Sequence, residues 1–75
     1  METLDKVRKI YLNIPTGYKK LAAQSYGITQ SNFVNLLNGQ GHRQDTLFRM
    51  RIACEDAIST AKKEILEKLT KLNSI

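Results

Sequence analysis

Gly27 constrains this chain more than any other residue. It stands between Ala22-Ala23-Gln24-Ser25-Tyr26 and Ile28-Thr29-Gln30-Ser31-Asn32-Phe33-Val34-Asn35-Leu36-Leu37-Asn38. Glycine takes a left-handed conformation without steric cost, so one helix can stop there and the next can leave at a steep angle. Thr29 is placed to cap the second helix, its hydroxyl accepting from a backbone N–H near Ser31 or Asn32, while Ile28 seals the corner. Phe33, Leu36 and Leu37 stand three and four apart and form one apolar stripe. That leaves Gln30, Ser31, Val34, Asn35 and Asn38 on the other side, and predicts a helix-turn-helix over about 16–38.

The outward face carries no charge. Solvated helix faces favour Glu, Lys and Arg, whereas amides and hydroxyls suit base edges. Gln or Asn can donate to and accept from adenine together, Ser can serve in either role, and Val34 can meet a thymine methyl. Double-stranded DNA is therefore the expected partner. The bland alternative is that these amides are tolerated surface residues on a mediocre helix.

Charge is segregated in the same direction. Residues 1–53 hold eight Lys and Arg against three acids, while residues 54–75 hold four of each, so the whole net charge of +5 sits in the first part. A phosphate footprint thus coincides with the candidate helix-turn-helix. Lys19 and Lys20 mark the start of its first helix, where free backbone N–H groups also favour phosphate. Thr29, Asn38, His42 and Arg43 are the other candidate phosphate contacts, the last two in the glycine-containing loop after the reading helix. For His42, surface filler ranks ahead of a metal role, because no Cys, Asp or second His stands at ligand spacing.

The 75 residues allow one domain, 1–75, with a small core. The single Cys54 excludes an internal disulfide and falls on an apolar helical face, as a buried thiol would. No apolar run approaches membrane-spanning length, and the N-terminal segment is unlike a signal peptide, so a cytoplasmic protein without membrane contact is expected. No acid/base pair or metal-ligand spacing occurs, so neither enzymatic activity nor a metal, cofactor or small-molecule ligand is expected.

Leu4, Val7, Ile10 and Tyr11 predict a first helix over 2–12, ended by Asn13-Ile14-Pro15. A second is expected from about Thr16, as its cap, to Tyr26, with Ala22 and Ala23 allowing close approach of a neighbour. Asp45 is the expected cap of a last helix with Leu47, Met50, Cys54 and Ala57 or Ile58 inside. From 46 to 72 there is no Gly and no Pro, and an unbroken helix would run about 40 Å at ~1.5 Å per residue. It could break near 56–60 and fold back, with Ile58, Ile65, Leu66, Leu69 and Leu72 completing the core. The favoured reading is instead that an extension over about 56–74 packs on a second copy through Ile58, Ile65, Leu69 and Leu72, since Cys54, Ile58, Ala61, Ile65 and Leu72 follow steps close to a heptad, with Leu69 flanking.

The run Gly-Ile-Thr-Gln-Ser-x-Phe-x-x-Leu-Leu-Asn-Gly at 27–39, with Ala23 before it and Asp45-Thr46-Leu47 after it, resembles the lambda-repressor-like proteins of the phage repressor and Cro group. The resemblance covers about 18–47. It implies an all-α, compact domain of four to five helices, to which the Gly- and Pro-free stretch from 46 to 72 adds the expectation of a long C-terminal helix. It also implies base-reading roles for Gln30, Ser31, Val34 and Asn35 and phosphate contacts for Lys19 and Asn38. Phe33 stands where that family commonly has Val or Ile, and Ala22 where it has a larger aliphatic residue.

The expectation is a sequence-specific transcriptional regulator, a repressor of phage, prophage or plasmid type acting as a homodimer. The rival is a protein-binding module on the same scaffold, an antirepressor or inhibitor of a host complex, working through its C-terminal helix. A nonspecific nucleic-acid binder would need more exposed aromatics and a denser basic stripe.

Overall fold

The computed structural model describes residues 2–73, and among them there are four helices and no strand. Helix α1 spans Leu4–Leu12, α2 Lys19–Tyr26, α3 Gln30–Asn38 and α4 Gln44–Asn73. Thr3 opens α1 in extended conformation, its Oγ1 accepting from Lys6 N at 3.3 Å. Val7 and Tyr11 supply its buried face, as their spacing of four predicts.

The start of α2 differs from the expectation that Thr16 caps it. Tyr18 N donates to Pro15 O at 3.0 Å, closing a tight turn with Gly17 at φ +94°. Glycine at the third position of that turn accepts the positive φ, and a helix cannot run through such a residue from Thr16. The helix therefore begins only at Lys19, after Tyr18, with no side-chain cap. Lys19 Nζ instead donates back to Ile14 O at 2.8 Å and lies 5.9 Å from the centre of the Tyr11 ring, fastening the turn to α1. Ile14 beneath it is fully buried.

Helix α4, by contrast, starts early. Leu47 N already bonds Arg43 O at 3.0 Å, so Asp45 is not the cap but an acid in the first turn, accepting from Thr46 N at 3.0 Å. The reason lies across the chain: Gln44 Nε2 donates to Glu2 O at 2.9 Å and Gln44 Oε1 accepts from Glu2 N at 3.0 Å. Arg51 reinforces that clamp, with Nε 2.7 Å from Glu2 Oε1 and Nη1 2.9 Å from Glu55 Oε1.

The first part of α4 is the spine of the core. Leu47, Met50, Ala53, Cys54, Ala57 and Ala61 are buried and recur every three to four residues, so they share one face. Helix α2 packs on it most extensively, its buried Ala22 and Ala23 permitting the close approach that the sequence predicts. Phe33, Ile14, Met50, Val7 and Cys54 are the largest wholly buried side chains, and no polar side chain is buried among the described residues. Burial pushes the Cys54 thiol up to about 12, with the Glu55 carboxylate adding to the effect. The thiol is thus a core group held protonated.

Beyond Ala61 the helix continues without a break and leaves the core. Residues 62–72 are all exposed, and the molecule measures 51 × 24 × 16 Å. The fold-back reading is overturned. With no glycine, proline or capping box near 56–60, nothing interrupts the backbone hydrogen bonds, and Ile65, Leu66, Leu69 and Leu72 do not complete the core. Of the expected extension over 56–74, Ser74 lies outside the described residues. No helix among the described residues is long and apolar enough to cross a membrane.

Candidate nucleic-acid interface

The turn between α2 and α3 is built by local chemistry. Gly27 has φ +99° and ψ 22°, and its N–H bonds Gln24 O at 3.1 Å while Ile28 N bonds Ala23 O at 3.0 Å. This pair of bonds is the Schellman ending, which satisfies the last carbonyls of α2 and turns the chain within one residue. Thr29 follows in extended conformation, and its hydroxyl accepts from Asn32 N at 3.2 Å. Ile28 is partly buried against the core.

Helix α3 is held by its inner face. Phe33 is wholly buried between Tyr11 and Tyr26, with ring centres 5.7 and 5.8 Å away. Leu37 is buried beside it and Leu36 partly so. The two aromatic contacts tie α3 to both α1 and α2, which fixes the direction of its outer face.

On that outer face Gln30, Ser31, Asn32, Asn35 and Asn38 are exposed. Gln30, Ser31, Asn35 and Val34 line one shallow open depression. Val34 is only half-exposed and also packs against the core, bordering a groove with Arg8, Tyr11, Leu12, Leu37 and Asn38. It presents part of its side chain outward, less than its helical position implies.

A second depression brings Gln30 together with Thr16, Gly17, Lys19 and Lys20. The start of α2 and the start of α3 therefore meet, putting basic groups beside the first amide of α3. Lys20 is exposed, whereas the Lys19 ammonium is engaged by Ile14 O. Arg43 is exposed at the entry to α4. His42 is engaged within the fold, since its Nε2 lies 2.7 Å from Leu36 O. A carbonyl only accepts, so this bond requires the ring proton on Nε2.

Arg8 is a contributor that sequence reasoning did not single out. Its Nε donates to Leu37 O at 2.6 Å, and with His42 it satisfies the last carbonyls of α3. A cation at that end also complements the helix dipole. The partners are 29 residues apart in sequence, and no local pattern announces such a pair.

The four residues expected to pair two copies divide. Ile58 is half-buried against the core, while Ile65, Leu69 and Leu72 lie exposed on the projecting part of α4, joined by the equally exposed Leu66. Among the described residues no group of His, Cys, Asp and Glu is arranged to hold a metal ion. Comparison with protein-family models, curated proteins and solved structures gave no match.

Proposed function

We propose that this chain is a sequence-specific double-stranded DNA-binding regulator of the lambda-repressor-like kind, acting as a homodimeric repressor of phage, prophage or plasmid type. The observation that carries this reading is the uncharged amide and hydroxyl face of α3, rigidly backed by Phe33 and flanked at its start by Lys20. Inserted in a major groove, Gln30 and Asn35 would each bond an adenine edge, Ser31 would serve as donor or acceptor, and the outward part of Val34 would meet a thymine methyl. Lys20, Thr29, Asn38 and Arg43 would hold phosphates on either side, while Lys19 would act through the turn it fastens. The Thr29 hydroxyl accepts within the cap and keeps its own hydrogen to donate outward. His42 would act through the α3 end that it caps. Two copies reading a pseudo-palindrome about one helical turn apart, roughly 34 Å, would block polymerase from an overlapping promoter.

The protein-binding module is the second reading, favoured by one feature, the exposed Ile65, Leu66, Leu69 and Leu72. Salt separates the two: phosphate contacts make affinity fall steeply with ionic strength, whereas an apolar interface is little affected. Titrating an enriched duplex and a scrambled one with Gln30→Ala and Lys20→Ala tests the assignment. Gln30→Ala should lower discrimination by about 1–3 kcal/mol, and Lys20→Ala should weaken both duplexes alike and flatten the salt slope. Equal losses on both duplexes for Gln30→Ala would overturn its base-reading role.

A further inference from the structure

We infer that the projecting part of α4 is a self-association surface on which a second copy lies antiparallel. At about 100° per residue, Ile58, Ala61, Ile65, Leu69 and Leu72 fall within an arc of roughly 80° on the helix circumference. The arc overlaps the side on which Leu47, Cys54 and Ala61 face the core. In the first part of α4, helices α1 and α2 cover that side. Along residues 62–72 none of the other described elements does, and Ile65, Leu69 and Leu72 are 38, 51 and 68% exposed. An extension this short is marginal as an isolated helix, so a partner would also stabilise its helical state.

Charge chooses the direction. One flank of the stripe carries Glu64 followed by Lys68 and Lys71, and the other carries Lys62 and Leu66. Antiparallel packing sets like flanks together, so Glu64 of each copy meets the basic end of the other copy's flank. Parallel packing sets the first flank against Lys62 and Leu66, which bring no carboxylate. Length agrees with this choice. The exposed stretch is centred at residue 67, so an antiparallel copy centred there covers it fully and stops where the buried part of α4 begins. Ile65 then faces Leu69 of the second copy.

The arrangement also suits DNA, a point that rests on the function proposed above. Ser25 Oγ donates to Asp56 Oδ2 at 3.1 Å and the Arg49 guanidinium sits 4.9 Å from the Tyr26 ring centre, so the α2–α3 turn lies level with residues 49–56 of α4. Two such turns, each about fourteen residues from the centre of the pair, would be separated by roughly 40 Å along it. One turn of duplex is about 34–36 Å. The interface is small, so assembly should depend on concentration and be reinforced by a two-site operator.

Sedimentation of the full chain without DNA, followed by disulfide trapping in a Cys54→Ala background, tests the inference. Expected are a monomer–dimer equilibrium, its loss in Leu69→Lys with the far-UV spectrum of the folded core retained, and efficient trapping between one chain carrying Ile65→Cys and another carrying Leu69→Cys. A monomer at every concentration would overturn self-association. Preferential trapping of Leu72→Cys with itself would overturn the antiparallel direction. Because these measurements contain no DNA, their failure leaves the DNA-binding reading standing, and loss of operator binding by a chain that still dimerises would count against that reading alone.

Discussion

Phe33→Ala should remove most of the stability of this protein. Phe33 is wholly buried on the inner side of α3, with the Tyr11 and Tyr26 rings 5.7 and 5.8 Å away. Truncating a buried Phe to Ala costs about 3–5 kcal/mol through lost transfer energy and the cavity left behind. Two aromatic contacts, each worth about 0.5–1.5 kcal/mol beyond their area, place this site in the upper part of that range. A chain of 75 residues at ~0.05–0.15 kcal/mol per residue has about 4–11 kcal/mol in total. Urea unfolding followed by far-UV circular dichroism should therefore show a midpoint lowered by several molar, at a slope of ~1 kcal/mol per molar, or a chain already unfolded. Phe33→Leu keeps an apolar group there and should cost only about 1–1.5 kcal/mol. A loss below about 1 kcal/mol for Phe33→Ala, with unchanged slope, would refute the anchoring of the reading helix by this ring.

Gly27→Ala forces a side chain into the left-handed region at φ +99° and should destabilise the fold by roughly 1–2 kcal/mol in the same urea assay, although a Cβ there meets no atom within 4 Å. An effect near zero would mean the turn relaxes. The Cys54 thiol sits at about 12 when folded, against an ordinary value of 9.0. The folded state then binds the proton more tightly than the unfolded one, so its contribution is full below pH 9 and falls as pH rises from 9 towards 12. Wild type should lose more stability than Cys54→Ala between pH 7 and about 10.5, and parallel losses would contradict the effect of burial on this thiol.

The parts of this structure legible in the sequence are those fixed within a few residues. Gly27, Ile28 and Thr29 carry a stop, a corner and a cap in adjacent positions, and Phe33 with Leu37 repeats at helical spacing. The parts that escaped depend on distant partners. Thr16 has the chemistry of a cap, but the turn closed by Pro15 and Tyr18 separates it from α2. Asp45 likewise has the right chemistry, yet the Gln44–Glu2 clamp draws the start of α4 forward. His42 and Lys19 read as charges available to phosphate, whereas tertiary contacts bring each to a backbone carbonyl. The continuity of α4 followed from the missing Gly and Pro. Which of its apolar residues remain uncovered did not, because periodicity identifies a face and not how far neighbouring helices reach along it.

Whether the outer face of α3 reads DNA sequence is decided most directly by selection from random duplexes. The purified protein should enrich an inverted repeat with half-sites about 10 base pairs apart, and bind it ~10³-fold or more above a scrambled duplex at the same salt concentration. No enrichment, with weak binding to every duplex that vanishes as salt rises, would show that α3 does not read bases and direct attention to the apolar stripe of α4.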